Sequence, residues 1–196
     1  MYHSVLADAR LYAFLHRIDC DLAAAARRMG CPDCGGCLHS ARYPRKPRGA
    51  RVALGDDYGF RLSFCCAEAG CRHRVTPPSV RFLGRKLYLG GVVVAAAAMQ
   101  HGTTPWRLEK LHDLFGVSPE TLERWRVFWR ETFVASRTWQ AARGLFDTPV
   151  DVDALPLSLL ERFPGDAQAR LVATLRLLAP LTTRSAAHLA LAEGHA

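Results

Sequence analysis

The chain lacks an apolar run long enough to cross a bilayer. Its longest, Val92–Met99, has eight residues, against roughly 20 for a membrane-spanning helix. The first 15 residues carry Asp8 and Arg10 and no continuous apolar stretch, so no signal peptide is expected. A membrane partner is thus not expected, and a reducing, cytoplasmic setting is. There is no internal repeat and no low-complexity tract. Disorder is excluded too, because 49 % of the 196 residues are apolar, enough for a sizeable core. Acidic residues are missing from one place in particular: none occurs from Ala41 to Arg51.

What the chain has in excess is cysteine, in one region. Six of its seven cysteines fall between Cys31 and Cys71. In a reducing compartment, clustered cysteines more often bind metal than pair as disulfides. Cys31-Pro32-Asp33-Cys34-Gly35-Gly36 is a C-x-x-C turn followed by glycines. Cys66-Ala67-Glu68-Ala69-Gly70-Cys71 is a second cysteine pair. Two such turns flanking short strands read as a zinc ribbon, with one structural zinc held by Cys31, Cys34, Cys66 and Cys71. A shell of four thiolates is closed and structural. Cys65 competes with Cys66 for one place. Strand alternation sets Arg61 and Ser63 on a polar side that Cys65 continues. Phe60, Leu62 and Phe64 lie on an apolar side that Cys66 continues. Cys66 is the expected ligand, with Cys65 the substitute. Cys37 reads as a hairpin residue, His39 and His73 as solvated ones, and the isolated Cys20 as an ordinary helix thiol.

Charge is as uneven as cysteine. The formal net charge is +8, and residues 30–86 hold eleven Lys or Arg against four acids. Residues 146–196 hold four against six. A basic patch on a small module is the footprint of a polyanion partner. Arg42, Arg45, Lys46, Arg48 and Arg51 line a run that Pro44 and Pro47 keep extended. Such a run can track a phosphate backbone. Arg81, Arg85 and Lys86 are read as extending that surface.

The rest predicts helices. Residues 8–29 form two short helices or one bent one, with Leu11, Phe14, Leu15 and Ile18 as one apolar stripe, Asp21 capping the second piece and Gly30 ending it. Strands are expected at Leu38–Tyr43, Arg51–Leu54 and Phe60–Phe64. Tyr88–Gln100 reads as a buried central helix. Thr104-Pro105 and Ser118-Pro119 each start a helix. Leu111, Phe115, Val117, Leu122 and Trp125 fall where a helix-turn-helix places its shared core. Its second helix would offer Ser118, Arg124 and Arg126 to DNA, although Glu120 and Glu123 lie near the phosphates. Trp129, Phe133 and Trp139 are assigned to the interior. Ser136 and Asp166 cap later helices, and Leu171, Leu175 and Leu178 form a stripe. The expected fold class is α+β, mostly helical, with a small antiparallel zinc-ribbon hairpin. Its parts are N-terminal helices (1–30), zinc ribbon (31–86), helix-turn-helix region (87–135) and C-terminal helices (136–196).

The order of these motifs resembles the N-terminal region of certain bacterial insertion-sequence transposases. The resemblance covers about residues 31–130. It rests on Cys31, Cys34, Cys66 and Cys71, on Val75-Thr76-Pro77-Pro78-Ser79, and on Phe115-Gly116-Val117-Ser118. It implies metal binding and recognition of DNA, with a second copy or another mobile-element protein as a further partner. In that family a nuclease-like domain with three carboxylates follows. Here too few residues follow for one, and Asp147, Asp151, Asp153, Glu161 and Asp166 sit in connectors and helix starts, so catalysis is not implied. Two other functions compete. An adaptor would use the ribbon only as a staple and the helical tail as its working surface. A zinc hydrolase would need an open coordination place, which a fourth thiolate removes.

Overall fold

The computed structural model describes residues 2–50, 52–83, 88–99 and 104–183. It is an α+β fold. A short helix, α1 (Tyr2–Val5), precedes α2 (Ala9–Met29), which is one continuous helix of 21 residues. Asp8 caps it by accepting from the Arg10 amide, and Gly30 ends it at φ 77°. Asp21 is therefore an exposed interior residue rather than a cap. Leu11, Leu15 and Ile18 are buried as expected, but Phe14 is exposed.

Among the described residues five short strands follow: β1 (Leu38–Ser40), β2 (Tyr43–Pro44), β3 (Phe60–Arg61), β4 (Phe64–Cys66) and β5 (Arg74–Val75). They form a three-stranded antiparallel sheet in the order β1-β4-β5 and a separate β2-β3 pair. The expected Phe60–Phe64 strand is thus broken at Leu62-Ser63. Residues 52–55 are irregular, and a 3-10 turn, Asp56–Gly59, leads into β3. Arg61 and Ser63 share a side, but that side is buried. The Arg61 guanidinium donates to the Pro77 carbonyl and, at 3.3 Å, to Thr182 Oγ1. Ser63 Oγ donates to the Val75 carbonyl at 3.2 Å. The Val75–Ser79 bridge and the chain near Thr182 cover this side.

All nine residues of α3 (Gly90–Ala98) are buried. Its glycines allow close approach. A Cβ on Gly90 would lie 3.2 Å from the Val80 carbonyl oxygen and from a Leu175 methyl. Helices α4 (Pro105–Phe115) and α5 (Pro119–Val127) pack around α3 and share Leu111, Phe115, Val117, Leu122 and Trp125, all buried. A π-helical turn, Phe128–Phe133, continues α5 and buries Trp129 and Phe133. Helices α6 (Arg137–Ala142), α7 (Leu157–Glu161) and α8 (Ala167–Leu178) follow, with α8 laid on α3 and α1. Leu171, Leu175 and Leu178 are fully buried in that contact.

One ion pair joins the N-terminal helix to the segment after the ribbon. Asp19, on the buried side of α2, accepts from Ser79 Oγ, from the Val80 amide at 2.7 Å and from Arg81 Nε at 2.8 Å. Both charged side chains are wholly buried. Arg81 also donates to the Asp57 carbonyl at 2.9 Å and lies over the Tyr58 and Phe82 rings. Arg81 is therefore no part of a basic surface. Arg85 and Lys86 lie outside the described residues. A buried charge that loses its partner costs roughly 3–5 kcal/mol. Asp19→Ala is expected to lower the unfolding free energy by about that much. The exposed Asp56→Ala should change it by less than about 0.5 kcal/mol. Urea unfolding followed by tryptophan fluorescence checks both.

Candidate metal centre and basic surface

The first cysteine turn is built by its backbone. The Gly35 amide donates to the Cys31 carbonyl at 2.8 Å, and the Cys31 amide to that of Gly36 at 2.9 Å. Gly35 sits at φ 72°, a conformation that glycine takes without penalty. The second turn closes through the amides of Cys71 and Arg72, both donating to the Glu68 carbonyl at 3.0 Å. Antiparallel pairing of Leu38 with Cys66 brings the two turns together.

The result is a four-sulfur cluster. The Sγ atoms of Cys31, Cys34, Cys66 and Cys71 all lie within 4.8 Å of one another. Cys31 and Cys71 are 3.7 Å apart, and Cys34 and Cys66 3.4 Å. A zinc–sulfur bond of about 2.3 Å sets tetrahedral sulfurs about 3.8 Å apart, so these separations match one ion. Gly36 is part of the cradle. A Cβ there would stand 3.3 Å from both the Cys34 and Cys66 sulfurs and 2.7 Å from Glu68 Cγ. Cys66 belongs to the cluster and Cys65 does not. The Cys65 thiol turns the other way, 3.5 Å from the Arg72 carbonyl oxygen. Cys37 and His39 are exposed. His73 pairs with Asp33, so it latches one cysteine turn to the other outside the sulfur cluster.

The sulfurs sit in unlike surroundings. Burial pushes the Cys66 thiol up to about 12. Burial also works to raise Cys31, but the amides of Asp33 and Cys34 donate to its sulfur and, with the neighbouring thiols, bring it down to about 7. Amides aimed at a sulfur favour the thiolate, the form that binds metal.

The basic run is extended and largely outward. Arg42, Lys46 and Arg48 are exposed, and Arg45 is half-buried. The Arg42 guanidinium lies 4.6 Å from the Phe60 ring centre, and that of Arg45 lies 5.7 Å from the Phe82 centre. The Arg48 carbonyl accepts from the Leu89 amide at 3.2 Å, which ties the run to the start of α3. Arg51 lies outside the described residues. The residues assigned to DNA on α5 are engaged locally. Ser118 Oγ caps the helix by accepting from the Thr121 amide. Arg124 donates to Thr121 Oγ1 at 2.7 Å, and Arg126 pairs with Glu123 at 2.9 Å. The basic run adjoins the helix pair: Arg48 bridges to Tyr88, whose ring packs 5.3 Å from that of Trp125 on α5 and whose hydroxyl donates to the Gly116 carbonyl at 3.1 Å.

Family models, curated proteins and solved structures were each compared with the chain, and none matches. The likeness to transposases thus rests on the order of motifs alone. No helix among the described residues is long and apolar enough to cross a membrane.

Four cysteines in this arrangement fit a single zinc. Purified protein is expected to carry one zinc per chain by elemental analysis. Cys34→Ser or Cys66→Ser should abolish it, and Cys37→Ser or Cys65→Ser should retain it. Protons compete with metal for the sulfurs, so affinity for zinc should fall as pH is lowered, with proton release on binding. Titration against a chromophoric chelator at several pH values measures this.

Proposed function

We propose that the chain is a zinc-stabilised DNA-binding module, transposase-related or accessory to a mobile element, which acts by binding rather than by catalysis. The supporting observation is the coupling of the sulfur cluster to the basic run. Leu38–Ser40, which leads into the run, pairs with Phe64–Cys66, which carries a ligand. A metal in the cluster would hold the base of a cationic loop on a rigid sheet. With four thiolates on the ion, no place remains for a reacting water. Arg42, Lys46 and Arg48 then supply phosphate contacts, with Arg45 and Arg51 beside them in sequence. Ser118, Arg124 and Arg126 of the helix-turn-helix would offer further contacts once released from their local partners.

A second reading is an adaptor for another protein. It is favoured by large apolar side chains left outside, Trp106 at 64 % exposure and Leu145 at 78 %, which a partner could cover.

Salt separates the two readings. Each phosphate neutralised releases counterions, so log affinity for duplex DNA should fall linearly with log salt, with a slope near −0.9 per contact. Three to five contacts from the basic run predict a slope of about −3 to −5 in fluorescence anisotropy titrations. A Lys46→Ala, Arg48→Ala double variant should reduce it by about two. Affinity independent of salt, or no retention on DNA alongside a stable protein complex, would select the adaptor.

A further inference from the structure

Beside the basic run lies an open cleft of about 830 Å³. It runs between residues 42–50 and the 52–60 segment, and Arg42, Pro47, Val52, Leu54, Asp56 and Phe60 line it. That volume is in the range of sites that take one small planar ligand. Its walls differ in character. One rim carries the Arg42 guanidinium, already seated over the Phe60 ring at 4.6 Å. The wall beyond is apolar, from Pro47, Val52 and Leu54. Two exposed carboxylates, Asp56 and Asp57, also line it. Asp57 has His16 at 3.5 Å, and Asp56 is taken as the acceptor. Lys46 and Arg48, both exposed, flank the lining residue Pro47 in sequence.

A purely phosphate-tracking surface has no need of an apolar wall or a carboxylate. A nucleotide matches all three features. Its base can stack on a guanidinium plane, its amino edge can donate to a carboxylate, and its phosphates suit Lys46 and Arg48. We propose that this cleft takes one unpaired base of a single-stranded DNA segment, stacked on Arg42 with its amino edge toward Asp56 and its flanking phosphates on Lys46 and Arg48. In a duplex the faces of each base are covered by its neighbours, and extrusion opposes entry. The ribbon therefore prefers unpaired strands, such as a frayed end, over intact duplex. This inference rests on the DNA-binding reading above and adds to it the form of DNA that is recognised.

The test is anisotropy with a fluorescein-labelled 15-nucleotide strand of mixed sequence and with the same strand annealed to its complement, at one salt concentration. Zinc content and circular dichroism serve as fold controls. The single strand is expected to bind about tenfold or more tightly than the duplex. Arg42→Ala and Phe60→Leu should each weaken the single strand by about tenfold, the order expected for loss of one stacked base. Duplex binding should stay within about threefold for Phe60→Leu, which removes no charge. Asp56→Asn should weaken a cytosine-rich strand more than a thymine-rich one, because thymine offers no amino group. Equal affinity for strand and duplex, or equal losses on both with Phe60→Leu, would overturn the inference and leave the DNA reading standing. Absence of binding to either form would overturn both.

Discussion

Four sulfurs meet in this protein because two tight turns, about 35 residues apart in sequence, are brought side by side by strands of only two or three residues. Strands that short do not hold together in water by backbone pairing alone. The apolar support is also small: Cys31, Leu38, Phe64 and Cys66 form one buried cluster with Ala23 and Ala26 of α2. Two of those six residues belong to the sulfur set. The ribbon's core and its sulfur cluster thus overlap, and a zinc held there would supply folding free energy that a core of this size cannot. The geometry around the sulfurs agrees. Glycine stands where a side chain would strike them, and a His–Asp pair joins the turns from outside.

A second constraint fixes the ribbon to the helical body. Asp19 and Arg81 are wholly buried, with the carboxylate also satisfied by Ser79 and the Val80 amide. Arg61 reaches Pro77 and Thr182 from the other side of the sheet. Such groups are poor sources of net stability, because desolvation opposes them. Their value is positional. A carboxylate that demands three donors admits few arrangements of the segment leading into α3. The cationic run is tied to that same place, through the Arg48 carbonyl and the Leu89 amide. Sulfur cluster, buried ion pair and basic run thus form one chain of constraints.

Much of this was legible in sequence. The α4-turn-α5 pair could be read because its signals are local: a cap, a proline and apolar spacing on each helix. The sulfur set could be read because spacing alone brings each pair within reach of one ion. The failures share one cause, which is contact between distant segments. Arg81 and Arg61 look like surface cations until the chain that covers them is known. A signal was nevertheless present for the first. Asp19 follows Ile18 and stands four residues after Leu15, within the apolar stripe of α2, so an acid there needed a buried cation. The strand break at Leu62-Ser63 carried no such mark. It follows from covering both sides of the sheet, which single-strand alternation does not specify.

The same local-versus-distant distinction bears on where DNA would bind. A helix-turn-helix is a packing solution first, and its core here is complete without any ligand. On α5, Arg126 pairs with Glu123 and Arg124 with Thr121, so a phosphate would have to displace contacts already made. On the ribbon, Arg42 lies over the Phe60 ring and Arg45 over that of Phe82, while Lys46 and Arg48 stand exposed on an extended segment with no acid among them. Displacing an internal partner subtracts from affinity, whereas an outward cation only sheds water. If the chain holds a nucleic acid strand, electrostatics favours the exposed cations of the ribbon as the primary contact and leaves α5 a supporting role.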